Sequence, residues 1–107
     1  MASNAAWTFP DPSVEFTWNR RKAADNLAKH GVGFDEARTV FFDQDARLMG
    51  DPEHSDDETR FVLLGVGSRL RCLVVCHAYD EPDDRIRIIS ARRANRGECK
   101  IYERRQK

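Results

Sequence analysis

Arginine side chains are concentrated near the C-terminal end of the 107-residue chain. Residues 85–107 contain nine basic and two acidic residues, and fourteen of the eighteen basic residues in the chain are arginine. The planar guanidinium group forms paired hydrogen bonds with phosphate and stays charged at any working pH. The pattern therefore indicates a phosphate-binding surface, with a solvated charged face as the simpler alternative.

Three of these arginines, Arg92, Arg93 and Arg96, precede or begin a predicted helix. The helix dipole disfavours cations at that end. A bound phosphate would explain their position, because free backbone N–H groups and guanidinium groups would converge on it. Arg85 and Arg87, on one face of the preceding predicted strand, extend this basic surface or form an exposed sheet face.

An acidic segment lies between two predicted strands. Residues 43–58 contain seven acidic residues and one arginine. Their spacing lacks the alternating Asp or Asn residues and the central Gly of a calcium loop, so an exposed acidic turn is the simpler interpretation. Acidic neighbours favour the charged form of His54, which makes it a candidate general acid, with Glu58 as the candidate base. A solvated loop histidine is the alternative.

The charges of the whole chain sum to zero, with eighteen basic and eighteen acidic residues. A zero sum argues against a nucleic-acid partner only when the charge is evenly spread. Here residues 43–58 carry a net charge of 1 − 7 = −6 and residues 85–107 carry 9 − 2 = +7. The chain is dipolar, so its net charge does not exclude RNA.

Three cysteines, Cys72, Cys76 and Cys99, cannot all pair within the chain, which is typical of free thiols in a reducing compartment. On a strand, Cys72 and Cys76 point to one face and His77 to the other, which disfavours a metal site. We expect buried structural thiols and no bound metal or cofactor.

The length and composition predict one globular domain, because a chain this short has room for a single core. Residues 1–13 contain two prolines and no periodicity, which predicts a loose N-terminal extension, and residues 14–107 form the domain. The N-terminus lacks a basic leader with an apolar core, and no apolar run approaches the roughly 18 residues of a membrane helix. We expect a cytoplasmic protein without a membrane partner.

The first half of the domain predicts a strand and two helices. Alternation of apolar and polar residues predicts a strand over residues 14–18. Asn19 then caps a helix over residues 20–30, which Gly31 ends. The predicted apolar stripe of this helix consists of Ala23, Ala24, Leu27 and Ala28. A second helix is predicted over residues 34–42, with Phe34, Ala37, Val40 and Phe41 facing inward.

The second half predicts four strands and a helix. The strands are expected over residues 46–49, 60–66, 70–79 and 85–91. The third of these is apolar on both faces at its centre, which predicts a central place in the sheet. Asn95 and Glu98 have the spacing of a capping box, which opens the last helix. The predicted class is α+β, in the order β-α-α-β-β-β-β-α, with a mainly antiparallel sheet packed against helices.

Five sequence blocks, in order and at the right spacing, resemble the BrnT family: residues 16–32, 34–37, 51–61, 85–92 and 98–103. The resemblance implies a RelE-like domain and a toxin of a type II toxin–antitoxin system, whose ribonuclease activity halts translation. It also implies a BrnA-type antitoxin with a ribbon-helix-helix DNA-binding part. This antitoxin neutralises the toxin and with it represses their promoter, so operator DNA is contacted only through the antitoxin.

A metal-independent ribonuclease can use the 2′-OH of RNA to attack the neighbouring phosphate. The protein must then move two protons and stabilise charge on the phosphoryl oxygens. We assign charge stabilisation to Arg60, Arg92 and Arg93, and proton transfer to His54 and Glu58. The residues expected to bind RNA are Lys22, Lys29, Arg85, Arg87 and Arg96.

Two alternatives of other classes fit the same arginines. One is a non-catalytic nucleic-acid-binding module, and the other is an inactive relative that serves only as a co-repressor. The first predicted helix leaves a similar choice open, because Lys22, Asn26 and Lys29 share one of its faces. That face is either a ridge that contacts RNA or a solvated surface.

Overall fold

The structure, a computed structural model, describes residues 14–50, 60–80 and 84–104. In these residues the order is β-α-α-β-β-β-β-α, as predicted. The elements are β1 (Glu15–Thr17), α1 (Arg20–His30), α2 (Phe34–Val40), β2 (Arg47–Gly50), β3 (Arg60–Val66), β4 (Cys72–Asp80), β5 (Arg85–Arg93) and α3 (Arg96–Glu103). None of the described helices is long and apolar enough to cross a membrane. Residues 1–13, the predicted loose extension, lie outside the described residues.

The five strands form one sheet in the order β1-β5-β4-β3-β2. The short strand β1 pairs with β5 in parallel, and every other pairing is antiparallel. The apolar strand β4 lies at the centre, which confirms the prediction made from its sequence. The predicted mainly antiparallel sheet is therefore confirmed as well.

The main core lies between the sheet and α2. The four residues predicted to face inward from the second helix, Phe34, Ala37, Val40 and Phe41, are all buried. They pack against sheet residues such as Leu63, Leu73, Val75 and Ile88. We call this side of the sheet the helix face. Burial of each Phe, Leu, Ile or Val side chain in this core contributes about 2 kcal/mol to the stability of the fold, because apolar surface is removed from water.

Helix α1 begins and ends where the sequence predicts. The Asn19 side chain accepts a hydrogen bond from the Lys22 backbone N–H group at 3.0 Å. At the other end Gly31 adopts a left-handed conformation, with φ of 71°, and its N–H group bonds the Leu27 carbonyl. Glycine suits this position because it has no Cβ to clash.

The predicted apolar stripe of α1 is wrong at three of its four residues, since only Ala23 is partly buried and packs against the core. Ala24 and Ala28 are exposed and Leu27 is 54% exposed, whereas Asn26 is buried. The Asn26 amide donates to the carbonyls of Ala91 at 2.8 Å and Val32 at 2.9 Å, and it accepts from the Ala91 N–H group at 3.1 Å.

The pairing of β1 and β5 explains why Asn26 faces inward. Strand β1 covers β5 only at Arg85–Arg87, so the edge of β5 farther along is open to another partner. Buried backbone N–H and C=O groups need hydrogen-bond partners. The side-chain amide of Asn26 supplies both partners to Ala91 and so takes the place of a strand at that edge.

The connection between β3 and β4 is longer than the predicted strand ranges, 60–66 and 70–79, imply. Strand β4 begins at Cys72 rather than at residue 70, because Leu70 adopts a left-handed conformation with φ of 61°. Helix α2 holds this loop. Thr39 Oγ1 accepts the Ser68 N–H group at 2.8 Å, and Arg71 donates to Glu36.

Helix α3 lies on the other side of the sheet. Its predicted capping box is present: Asn95 and Glu98 exchange side-chain to backbone hydrogen bonds, both of 2.8 Å. The Tyr102 hydroxyl donates to Asp43 Oδ2 at 2.6 Å, which ties the helix to the segment after α2. Leu64 and Val74 are buried outside the main core.

Candidate nucleic-acid site

One face of the sheet gathers several of the arginines singled out in the sequence. Arg60 in β3 and Arg87 in β5 both pair with Ala78 of the intervening strand β4. Residues opposite each other in antiparallel strands present their side chains on the same face. Arg60 and Arg87 therefore flank Ala78 on one face, with backbones roughly 10 Å apart.

A β-bulge brings a further arginine to this face. Arg92 and Arg87 are five residues apart in β5, and in a regular strand such residues point to opposite faces. The register shifts between Cys76 and His77, so that Arg92 lies opposite Val74 while Arg87 lies opposite Ala78. Both partners are even-numbered residues of β4, so both arginines share a face.

Together with Arg85, which lies opposite Asp80, these residues form a basic surface on the side of the sheet that carries α3. We call it the arginine face and define it by Arg60, Arg85, Arg87 and Arg92. It is the only described sheet surface that holds several of the predicted phosphate-binding residues. The arrangement can hold consecutive phosphate groups of a nucleic-acid backbone.

The Arg92 guanidinium group binds a carboxylate through two hydrogen bonds. Its Nη1 and Nη2 atoms donate to the two carboxylate oxygens of Glu98 at 2.9 and 2.8 Å. The hydrogen bonds from Arg92 hold the pKa of Glu98 below its usual range, and the same bonds raise the pKa of Arg92. The Glu98 carboxylate is therefore an anion that explains the position of Arg92 beside the N-terminal end of α3, where the helix dipole disfavours cations. Arg92 is nevertheless 44% exposed.

Arg85 and Arg87 form looser ion pairs with neighbouring strands. Arg85 Nε lies 3.2 Å from a carboxylate oxygen of Glu15, and Arg87 Nε lies 3.4 Å from Asp80. All four side chains are more than a third exposed. Exposed pairs of this kind contribute at most about 1 kcal/mol. Phosphate groups can therefore compete with these carboxylates for both arginines.

Arg93 and Arg96 lie beside the arginine face rather than on it. Arg93 pairs with Leu73, a residue of the helix face, so the strand directs its side chain away from that of Arg92. Arg96 is the first residue of α3. Both are exposed, and no ion pair is formed by either within residues 14–50, 60–80 and 84–104.

The two predicted RNA-binding lysines of α1, Lys22 and Lys29, are exposed. They lie one helical turn to either side of Asn26, whose bonds to Ala91 place them near the outer edge of β5. Asn26 itself belongs neither to an RNA-contacting ridge nor to a solvated surface, since it is buried. The lysines are thus separate from the arginine face.

The predicted general acid and base, His54 and Glu58, lie outside the described residues. Arg60, the third predicted residue of that block, begins β3 and is partly buried. The proton-transfer roles of His54 and Glu58 stay predictions.

The buried histidine is a core residue. His77 packs on Phe41, with ring centroids 4.8 Å apart, and one ring nitrogen lies 3.3 Å from the Val75 carbonyl. Burial lowers the pKa of His77 to about 4, against the hydrogen bond to Val75, which raises it. Its ring is neutral near pH 7, so His77 contributes to packing on the helix face.

The three thiols are free and half-buried. Burial, together with the adjacent Cys99, raises the pKa of Cys72 to about 12. Because the thiolate is the nucleophile, Cys72 is unreactive at neutral pH. Among the described residues, no three His, Cys, Asp or Glu side chains converge as metal ligands would.

Two features of the site are not among the predictions made from the sequence. The pairing of Arg92 with Glu98 was not predicted, although Glu98 was recognised as part of the capping box. A carboxylate six residues after an arginine, in the first turn of a helix that follows a strand, is the signal for it. The bulge in β5 has no comparable signal, because its residues Ile88 and Ile89 fit either register.

The described residues form an α+β domain whose five-stranded sheet carries the arginine face on one side. A family model described as a ribonuclease toxin, BrnT, of a type II toxin–antitoxin system matches residues 18–98. The chain belongs to the BrnT family. A toxin of such a system has an antitoxin partner, and a ribonuclease has an RNA substrate.

A solved structure shows the same fold. The crystal structure of the ribonuclease toxin BrnT from Brucella abortus aligns with a TM-score of 0.57 and 21% sequence identity. The alignment covers 78% of this chain and all of the other. No curated protein sequence matches this chain.

Proposed function

We propose that this protein is a metal-independent endoribonuclease that inhibits translation in the cytoplasm. We further propose that a BrnA-type ribbon-helix-helix antitoxin neutralises it and that the two repress their own promoter, with operator DNA contacted only through the antitoxin. Family membership supports the toxin class. The single observation that carries the RNA-cleaving site is the bulge that gathers Arg60, Arg87 and Arg92 on one face.

The proposed reaction uses the 2′-OH of RNA as the nucleophile. Its oxygen attacks the adjacent phosphorus, the bond to the 5′-oxygen of the next nucleotide breaks, and a 2′,3′-cyclic phosphate forms. Arg60 and Arg92 stabilise the charge that develops on the phosphoryl oxygens, which preorganised donors do efficiently. His54 and Glu58 are proposed to move the protons from the 2′-OH and to the leaving oxygen.

The other basic residues are proposed to bind the RNA backbone on either side of the cleaved bond. Arg85 and Arg87 lie along β5 from Arg92, and Arg96 lies beyond it at the start of α3. Arg93 was predicted to stabilise charge, but its position opposite Leu73 favours binding to a flanking phosphate. Lys22 and Lys29 contact more distant parts of the RNA.

The test is an Arg92→Ala substitution. Removing one preorganised donor is expected to slow RNA cleavage on the order of a hundredfold and to relieve growth arrest. The rate of cut-end formation on a defined RNA measures this, and thermal unfolding confirms that the variant folds. Arg69→Ala is the matched control, because Arg69 is exposed in the β3–β4 loop and loses the same charge. An Arg92→Ala variant that cleaves at the parental rate would remove Arg92 from the site.

A substrate with 2′-deoxyribose at the cleaved position tests the nucleophile, and added EDTA tests metal independence. We expect no cleavage of the deoxy substrate and unchanged cleavage in EDTA. Cleavage of the deoxy substrate would contradict the proposed reaction, and loss of activity in EDTA would contradict metal independence.

A non-catalytic role is the competing function, and the Arg92–Glu98 ion pair is the observation that favours it, because it gives Arg92 a structural partner. A binding module would show affinity that falls steeply with salt, without cut ends. Induction of the chain with and without a ribbon-helix-helix antitoxin separates these cases. Growth arrest with RNA cleavage, relieved by the antitoxin, supports the toxin.

A further inference from the structure

We propose that Glu98 is a positioning residue for RNA cleavage, which holds the Arg92 guanidinium group with one edge directed toward the scissile phosphate. The inference rests on the proposed function, because it assigns Glu98 a role through Arg92. Glu98 touches no RNA in this scheme and acts only on the orientation of Arg92.

The hydrogen bonds of Arg92 leave one edge of its guanidinium group open. Glu98 accepts from the end of the group, through Nη1 and Nη2. Nη1 also donates to the Arg93 carbonyl at 3.3 Å. Of the five N–H groups, the Nε–H group and the second N–H group of Nη2 have no acceptor within the described parts of the chain. These two lie on the same edge and match two oxygens of a phosphate.

Glu98 is itself fixed in place. Its Oε1 atom accepts the Asn95 backbone N–H group at 2.8 Å as well as Arg92 Nη1. The capping box thus anchors the carboxylate to the first turn of α3, and its side chain is only 26% exposed. The hydrogen bonds from Arg92 lower the pKa of Glu98, which favours its charged form.

Because Glu98 in α3 holds Arg92 in β5, the Arg92 side chain is oriented before RNA binds. A free arginine side chain must lose rotamer freedom when it binds a transition state, whereas Arg92 is held before the substrate arrives. Small misplacements of a catalytic group slow reactions strongly. Breaking the contact with Glu98 should therefore slow the chemical step more than it weakens RNA binding.

The geometry also distinguishes positioning from autoinhibition. An inhibitory carboxylate would occupy the edge of Arg92 that the phosphate needs. Glu98 occupies only the Nη1–Nη2 end, and the exposed Arg92 side chain keeps its other edge accessible. Removal of the carboxylate is thus expected to lower activity rather than raise it.

Two substitutions separate the orientation of Arg92 from the stability of α3. Glu98→Gln keeps an oxygen for the Asn95 N–H group but replaces the acceptor of Arg92 Nη2 with an amide donor. Asn95→Ala removes the side-chain cap and leaves the Glu98 carboxylate intact. Glu98→Gln is expected to lower kcat on the order of tenfold with little change in KM. Asn95→Ala is expected to lower Tm by about 5 °C but to lower kcat less than Glu98→Gln does, because the backbone N–H group of residue 95 still holds the Glu98 carboxylate.

A double-mutant cycle supplies the readout that a structural role would not give. If Glu98 acts through Arg92, adding Glu98→Gln to Arg92→Ala causes no further loss of cleavage. The inference is overturned if Glu98→Gln cleaves at the parental rate, cleaves faster, or slows the Arg92→Ala variant further. The proposed function then still stands, provided that the parental protein produces cut ends and Arg92→Ala produces them on the order of a hundredfold more slowly. A parental protein without cut ends would remove both.

Discussion

The protein contains two arginine–glutamate pairs that use the guanidinium group in different ways. Arg71 contacts Glu36 through its Nε and Nη2 atoms, at 3.1 and 2.6 Å, and Nη2 also bonds the Gly31 carbonyl. Arg92 contacts Glu98 through Nη1 and Nη2 instead. In the first pair the Nε edge binds the protein, and in the second it is open.

The pair whose Nε edge binds the protein, Glu36–Arg71, is also the more buried of the two. Glu36 is 6% exposed and Arg71 22%, whereas Glu98 is 26% exposed and Arg92 44%. The Glu36–Arg71 pair joins α2, the end of α1 and the β3–β4 loop, so it holds the framework of the helix face together. The same two residue types can therefore join parts of the framework or leave an arginine edge open to a ligand, according to which edge of the arginine the glutamate occupies.

The largest expected effect is on stability, at the Glu36–Arg71 pair. Arg71→Ala leaves the Glu36 carboxylate, which is only 6% exposed, without its cation, and is expected to lower the free energy of unfolding strongly. Arg92→Ala removes a half-exposed pair and is expected to lower the free energy of unfolding by less than about 1 kcal/mol. Urea unfolding of both variants measures the difference. Equal losses for the two substitutions would contradict the comparison.

Acid is expected to weaken the helix face through the buried His77. The pKa of His77 is lowered to about 4 in the folded protein, below its ordinary value near 6.5. A lowered folded pKa means that the unfolded chain binds the proton more readily, so stability is full above about pH 6.5 and falls as the pH drops toward 4. The loss attributable to His77 is about 3 kcal/mol.

Urea unfolding at a series of pH values tests this expectation. His77→Phe should remove most of the slope between pH 6.5 and 4, because phenylalanine packs on Phe41 without titrating. A slope of the same size in the His77→Phe variant would assign the acid sensitivity to other groups.

A smaller effect is expected where α1 meets β5. Asn26→Ala leaves the N–H and C=O groups of Ala91 without the amide that bonds them, at a cost of about 2 kcal/mol. Lys22→Ala, one turn away and exposed, should leave stability unchanged and weaken only RNA binding. Unfolding and RNA-binding measurements on both variants distinguish the effect of Asn26 on stability from the effect of Lys22 on RNA binding. An Asn26→Ala variant as stable as the parent would contradict the strand-like role of the amide.

Local sequence signals predicted most of the framework. Helix α1 begins at the Asn19 cap and ends at Gly31, and the Asn95–Glu98 capping box opens α3, because each of these depends on residues within one turn of the chain. The four inward-facing residues of α2 follow from the helical period, and the place of β4 at the sheet centre follows from its apolar run.

Local sequence signals did not predict which face of α1 is buried. Its alanines and Leu27 form an apolar stripe on a helical projection, yet the buried position is Asn26. Hydrophobicity alone favours the stripe. The unpaired edge of β5 decides otherwise, since Ala91 requires a hydrogen-bond partner that an alanine or leucine side chain cannot supply.

The sequence by itself determined the order of elements, both ends of α1, the start of α3, and the concentration of arginine near the C-terminal end. These properties depend on residue types and on short spacings. Tertiary structure alone decided which arginines lie on the same face of the sheet. One bulge in β5 places Arg87 and Arg92 on the same face, and Glu98 leaves the Nε edge of Arg92 open. Strand register and side-chain pairing are set by contacts between distant segments, which the spacing of residues along the chain does not specify.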